Sequence, residues 1–399
     1  MTRLRKFFLF LLVIILLSQA PFAYRRYRLK RLRNTIQQLA AQRVANETGN
    51  DYVDYKGVIH VHTSLGGHST GTFAELIDAA KANDLAFVIM TEHPQMDLDT
   101  AAMTLNGVHG GVLFINGNEV STADGDRLLL IPGSPNANER HTTREFIDQQ
   151  HENRGLAFAA YPSESQSWQS TAVDGVEVYN LFTNAKQISR LLTFFDGLWS
   201  YRSYPDLMFA NFFARPTENL KLWDDAARST NRRLVAIAGN DAHSNVGFGL
   251  SDSAGKQIVG VKLDPYERSF RTVRTHVLIK KNKPLTRESL LEAISLGHCY
   301  VSFDLFSDPT GFDFHVLQSD KMMGDEISFA KPTELVAKSP LPSRFVLLKD
   351  GNEISQTSAA TARFPVTSPG VYRIEAYLDS LPAPATGKPW IISNPIYIR

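Results

Sequence analysis

Cysteine is almost absent from this chain: Cys299 is the only one in 399 residues. No intrachain disulfide can form and no thiolate zinc site can be built, so any metal must be held by histidine and carboxylate side chains. A charge excess of one sign is missing too. The net charge of +1 gives no electrostatic case for nucleic acid or for a strongly acidic partner. No repeat with a period of about 20 to 50 residues is visible. What remains is an ordinary globular composition, 43% hydrophobic and 21% charged, in a chain long enough for two domains.

Long apolar runs are also scarce, and the one that stands out lies at the start. Arg3, Arg5 and Lys6 precede Phe7 to Leu17, and Arg25, Arg26, Arg28, Lys30, Arg31 and Arg33 follow. Residues 1–33 thus form a signal anchor, a single-pass transmembrane segment with basic flanks. Its apolar length, about 16 residues through Phe22, is slightly under the ~20 that span a bilayer, a gap that snorkelling arginines and local thinning can close. Cleavage after Ala20 or Ala23 would instead secrete the body, and Pro21 disfavours the first cut. The larger basic cluster follows the span, which by the positive-inside rule keeps the body cytoplasmic. The reading adopted is an uncleaved anchor in a bacterial inner membrane with the body in the periplasm. Residues 34–50, polar and Gln/Ala-rich, read as a helical linker leading away from the membrane.

Histidine is where the sequence becomes informative. His60, His62 and His68, three of 11 histidines, follow the apolar strand-like Gly57-Val58-Ile59. Alternation along a strand puts His60 and His62 on one face, where they can converge on a metal ion. Other apolar runs also end in acids or histidines: Phe87 to Thr91 in Glu92-His93, Val112 to Ile115 in Gly117-Asn118-Glu119, and Leu234 to Ala238 in Gly239-Asn240-Asp241-Ala242-His243. Strand ends are where α/β proteins place their chemistry.

The intervening segments predict helices. Thr72-Phe73-Ala74-Glu75 is a capping box opening a helix to about residue 83. Thr143 to Arg154 reads as a helix, Leu156 to Ala160 and Gly175 to Tyr179 as strands, and Asn219 to Thr230 as a helix. Thr286 caps a helix through Leu296, and His298 to Phe303 reads as a buried strand. Repeated βα units specify a mainly parallel sheet, open or closed into a barrel. After about Asp308 short strands and turns take over, with a hairpin signal at Asp350-Gly351, suggesting a small β-sandwich.

In chain order, His60-Val61-His62 with His68, Thr91-Glu92-His93, Gly117-Asn118-Glu119-Val120, Gly175-Val176-Glu177-Val178-Tyr179-Asn180 and Gly239-Asn240-Asp241-Ala242-His243-Ser244 form a set of motifs. This set resembles the PHP (polymerase and histidinol phosphatase) superfamily of metal-dependent hydrolases, and within it the carbaryl-hydrolase-like branch. The match covers roughly residues 55 to 305. A lone His-x-His pair is weak, whereas five motifs in family order at strand ends are specific. Pro389 to Tyr397 resembles the end of the β domain appended in that branch.

The resemblance implies a distorted (βα)7 barrel over residues 51–307, its site at the C-terminal strand ends, followed by a small all-β, sandwich-like domain over 308–399. Carried over by position, His60, His62, Glu119 and Asp241 would hold one metal, and His68, His93 and His243 another. Two positions depart from the family. Asp124-Gly125-Asp126-Arg127 stands where a histidine is usual, and Ala160-Tyr161-Pro162 has tyrosine where the family has histidine before proline. Asp126 and Tyr161 are therefore further candidate ligands, Glu177 reads equally as a candidate ligand or as half of a buried structural ion pair, and one or two ions, Zn²⁺, Mn²⁺ or Fe²⁺, are expected in place of three.

Such an ion lowers the pKa of its water from 15.7 toward about 7, making hydroxide available to attack a phosphoester, a carbamate or a carboxylic ester. Asp241 is the candidate for orienting that water, His243 and His93 for positioning the second ion, and Arg127 for neutralising an anionic substrate. Glu92 reads as support for a ligating histidine. Trp168 and Tyr179 read as core or pocket wall, and His109, His141, His151, His276, His298 and His315 as structural. The expected partners are a small-molecule ester and the membrane, without nucleic acid. The competing reading is a degenerate PHP-fold binding or scaffold module at the cell envelope, for which loss of two family histidines speaks.

Overall fold

The computed structural model describes residues 3–44, 51–135, 137, 140–186, 190–229, 232–245, 247–251 and 257–399. The chain opens with α1 (Arg3–Gln42), one helix of 40 residues that contains Pro21. At 1.5 Å per residue it is about 60 Å long. None of its apolar window, mean hydropathy 2.2, is buried in the body, and it is long and apolar enough to cross a membrane. The second half does not lead away as a spacer. Leu29, Leu32 and Leu39 are buried in the main core of the body, and Ile36 packs beside them. Residues 45–50 of the expected linker lie outside the described residues.

The body is a mixed α/β structure with a large sheet. Its first eight strands to be named are β1 (Tyr52–Val61), β2 (Phe87–Ile89), β3 (Val112–Ile115), β4 (Asn118–Ser121), β5 (Arg127–Ile131), β6 (Leu156–Ala160), β7 (Gly175–Asn180) and β8 (Val235–Ala242). β1 lies between β2 and β8, parallel to both; β2 runs parallel to β3, β6 to β7 and β7 to β8. A parallel bridge from Glu92 to Asn118 connects the two halves, and the strands close into a barrel. The expectation of a mainly parallel sheet fails at β5, which is antiparallel to both β4 and β6. The link between β4 and β5 explains this: it turns at Gly125, φ 87°, and is too short for the crossover of a dozen or more residues that parallel strands need.

Strands buried on both faces carry unbroken apolar runs. Ile59, Ile89, Ile115, Leu129, Phe158 and Ile237 belong to one cluster, drawn from six of the strands. The alternate residues Val58, Val88 and Phe114 pack outward against Leu76, Ala79 and Ala80 of α2 (Phe73–Ala82). That helix and α3 (Thr143–Glu152) each start at a complete capping box, Thr72 with Glu75 and Thr142 with Glu145. Further on come α4 (Arg190–Ser200), α5 (Thr217–Ser229) and α6 (Arg287–Ser295), the last capped by Thr286. Thr230, the expected end of α5, lies outside the described residues.

The C-terminal region is rich in sheet and hydrogen-bonded into the body. Cys299–Ser302 pairs with Arg274–Lys280 on one side and with Ile391–Ser393 on the other. The long hairpin Thr333–Lys349/Asn352–Val366 turns at Asp350-Gly351, with φ 51° and 80°, the two left-handed positions that a type I′ turn requires. Asn394 then reaches back to β8, donating to Ala236 O at 3.1 Å and accepting from Ala236 N at 2.7 Å. Arg373 joins α5 to this sheet, pairing with Asp224 at 2.8 Å and with Glu375 at 2.6 Å.

Candidate metal centre

The two strands that carry most of the site are distorted where its residues sit. Pairing between β1 and β8 slips, Ile59 facing Gly239 but Val61 facing Ala242, so β8 holds one residue more. His60 and Asp241 occupy the slip with φ 68° and 51°, and Tyr161, just past β6, has φ 47°. Non-glycine residues rarely adopt this left-handed backbone, and bulges of this kind re-aim side chains at functional sites. His60 and His62 therefore converge across a bulge, not by the simple alternation expected of a regular strand. Their ring centroids are 5.1 Å apart.

Four fully buried side chains meet there. His60 Nε2 is 3.1 Å from Glu119 Oε2 and 3.5 Å from Asp241 Oδ1; His62 Nε2 is 3.3 Å and 3.5 Å from the same two oxygens. One ligand-type atom from each of these four residues lies within 4.8 Å of every other, and His62, His93 and His243 form a second group by the same measure. The His62 ring stacks between those of His93 and His243, at 4.6 and 4.5 Å. The grouping differs from expectation at one position: His62 belongs to both groups, while the exposed His68 faces His243, with their Nε2 atoms 2.6 Å apart.

Both nitrogens of His62 and Oδ1 of Asp241 are buried without a hydrogen-bond partner among the described residues. Leaving such atoms unpaired costs on the order of 1–3 kcal/mol each. Imidazole nitrogens and carboxylate oxygens aimed at a common point are the donor set that divalent ions of the Zn²⁺, Mn²⁺ and Fe²⁺ type accept, so the residues fit such an ion.

The surrounding shell fixes the rings of His60 and His243. Glu177 Oε1 lies 2.6 Å from His60 Nδ1 and is steadied by Asn180. Its candidate role as a ligand gives way to orienting His60, because that oxygen is already engaged. Tyr161 Oη donates to Asp241 Oδ2 at 2.7 Å. His243 Nδ1 is held by the Asp241 carbonyl at 2.8 Å, leaving Nε2 to face the site. Arg127 NH1 reaches Glu119 Oε1 at 2.9 Å from the half-exposed rim.

Other candidates turn elsewhere. Asp126 accepts from Thr143 Oγ1 at 2.7 Å and belongs to neither ligand group. Among the described residues Glu92 makes no hydrogen bond to a site histidine; it accepts from Thr63 N, Thr63 Oγ1 and Thr104 Oγ1, and so holds the turn that follows His62. Phe182, whose ring is 5.4 Å from that of His243, is a neighbour that the motifs did not point to. His276, Asp304 and Asp308 form a third cluster. There both nitrogens of His276 are taken by Asp54 and Asp304, and Arg274 and Lys56 answer the remaining charge, so it is an internal ion network.

Electrostatics sort the cluster into cationic, anionic and neutral members. Burial alone would lower His60, but Glu177, Asp241 and Glu119 raise it well above the ordinary imidazole value. His62 is raised as well, against its burial, by Asp241 and Glu119, whose oxygens stand 3.5 and 3.3 Å from its Nε2. Burial, then the charge of His62, brings His93 down to about 3 and His243 to about 4, and lowers His68 too. Glu119 and Asp241 lie below the usual carboxylate range: burial opposes this and the neighbouring His60 outweighs it. Burial, then Asp241, pushes the Tyr161 phenol up, so it stays a neutral donor. At neutral pH the carboxylates are ionised and His93 and His243 neutral, the forms that bind metal, whereas His60 and His62 favour the protonated form and an incoming ion would have to displace that proton.

No protein-family profile and no curated protein matches this chain. Among solved structures, PsfC from Pseudomonas syringae is 15% identical with a TM-score of 0.40, over 63% of this chain and 92% of that one. Endonuclease Q, in complex with a duplex substrate bearing an abasic lesion, is 14% identical with a TM-score of 0.32, over 60% of this chain and 56% of that one. Likeness of that order carries neither fold nor function.

Proposed function

We propose that the chain is a membrane-tethered, PHP-type metal-dependent hydrolase of phosphoesters, or of carbamate or carboxylic esters. In this reading residues 51–307 form the catalytic barrel and residues 308–399 a sandwich-like region that braces it. The observation that carries the proposal is the convergence of His60, His62, Glu119 and Asp241, all buried, with His62 nitrogens and Asp241 Oδ1 lacking hydrogen-bond partners among the described residues. A binding module would have no use for such a cluster, since buried polar atoms without partners are costly.

One or two divalent ions would be held by His60, His62, Glu119 and Asp241 and by His62, His93 and His243, with His68 beside the second. When bound, such ions supply an acidified water and offset negative charge as it develops. The chain's own groups do the rest. Asp241 Oδ2 is occupied by Tyr161, so Oδ1 is the edge that orients a water or takes its proton. His243 keeps Nε2 toward the site because its other nitrogen is tied to the backbone. Arg127 spends one arm on Glu119 and stands at the rim with N–H groups to spare, an arrangement suited to an anionic phosphoester.

A panel of chromogenic phosphate, acetate and carbamate esters, assayed on the full chain with each metal, tests this reading. Turnover by wild type and its loss in Asp241→Asn support hydrolysis. Equal inactivity of both with every metal would favour the binding module.

We place α1 in a bacterial inner membrane with the body in the periplasm. Three of the basic residues after the span have partners in the body: Arg25 with Asp196, Arg26 with Ser203, and Arg33 over the Tyr204 ring. Packing therefore accounts for part of the basic cluster that charge counting would assign to topology. A reporter fused after residue 50 that is active only in the cytoplasm would reverse the orientation.

A further inference from the structure

Between the metal centre and the barrel's last strand, α4 carries large apolar side chains that remain exposed. In α4, Leu192 is 43% exposed, Phe194 44%, Leu198 68% and Trp199 36%, whereas Asp196 and Ser200 on the other side are buried. An isolated exposed leucine needs no explanation, but four large apolar side chains on one short helix do. The place where this helix sits supplies one. Asp196 accepts from Arg25 Nε at 2.7 Å, the Phe195 ring lies 5.0 Å from that of Phe22, and Trp199 Nε1 donates to Gln19 Oε1 at 3.0 Å. Gln19 comes just after Leu17, the last residue of the apolar run, so Trp199 stands within about 5 Å of its end along the helix axis.

We infer that α4 is a second membrane contact, lying in the headgroup and acyl boundary beside α1 with Leu192, Phe194, Leu198 and Trp199 in lipid. The inference rests on α1 being the anchor. Its exposed face continues the uncovered surface of α1, and tryptophan at the apolar edge with arginines just beyond matches the layering of a bilayer interface. Commitment to lipid follows from that continuity: whatever covers α4 also meets α1 at Gln19 to Arg26. The same stretch of chain starts at the metal centre, since Phe182 beside His243 belongs to the short helix Leu181–Lys186 that precedes α4. The bilayer contact and the wall of the site are therefore near neighbours in sequence.

The test uses the full chain in vesicles containing brominated phosphatidylcholine. Trp168, Trp223 and Trp390 are buried in the body, so only Trp199 can meet a brominated chain. Wild-type fluorescence should be quenched, and the quenched fraction should fall at least fivefold in Trp199→Phe. In Phe194→Glu/Leu198→Glu the quenching should fall at least twofold while flotation with vesicles persists through α1. Failure of the wild type to float would overturn the inference together with the anchor. Flotation without Trp199 quenching would overturn the inference alone. Unquenched Trp199 with Leu198→Cys chains cross-linked in pairs would assign the face to a second copy, which also contradicts it.

Discussion

Glu177 and His60 form a buried pair, Oε1 to Nδ1 at 2.6 Å, and the carboxylate fills the space a side chain at position 239 would need. A Cβ on Gly239 would come 1.5 Å from Glu177 Oε1. His60 is thus aimed by a neighbour on β7, and that neighbour is admitted by a glycine on β8. Gly239→Ala and Glu177→Gln should each weaken metal binding about 10- to 100-fold, the usual cost of losing the partner of a ligating histidine. Competition titration against a chelator reads this, and unchanged affinity in both variants would remove Glu177 from the centre.

Tyr161 is the only hydrogen-bonding partner found for Asp241 Oδ2 among the described residues. A hydrogen bond to a charged group contributes about 1.5–3 kcal/mol. Tyr161→Phe should therefore retain its metal and lower kcat by roughly 10- to 100-fold. A metal content that falls in step with kcat would instead make the phenol part of the metal-holding set.

Arg127 separates the substrate classes. In Arg127→Ala, KM for a phosphate ester should rise about tenfold or more, whereas KM for a neutral carbamate or acetate should change little. Equal rises for both would show that Arg127 acts through Glu119 alone.

Much of this site could be read from residue order. His60, His62, Glu119, Asp241 and His243 stand at strand ends, and the fold gathers them. The backbone was less legible. Nothing in Ile59-His60-Val61 announces a left-handed histidine, because a bulge is made by the pairing of two distant strands. Alternation accordingly predicted the convergence of His60 and His62 by the wrong route. The partners of Glu177 and Tyr161 were hidden for the same reason, each lying on another strand. The reversal of β5 had a visible cause in the short Asp124-Gly125 turn. The docking of Leu32 and Leu39 was masked by arginine and glutamine neighbours that make residues 25–42 look like a solvated stalk.

Away from the centre, His276 makes stability depend on pH. Burial acts to lower it, yet Asp54 and Asp304 hold it up at about 10. The folded chain therefore keeps a proton that the unfolded chain releases near pH 6.5. The contribution is complete below that pH and disappears as pH rises through about 10, with a slope near 1.4 kcal/mol per pH unit between. Denaturant melts of wild type and His276→Gln from pH 6 to 10 should converge toward the alkaline end. Parallel profiles would mean that His276 is neutral in the fold.

Everything proposed for this centre depends on these buried histidines and carboxylates holding divalent metal. The most direct test is metal analysis of the purified full chain after loading with Zn²⁺, Mn²⁺ or Fe²⁺, beside His62→Ala, which removes the ring shared by both ligand groups. One or two equivalents per chain are expected in wild type, and a loss of at least one in the variant. No bound metal under any loading, or three equivalents, would contradict it.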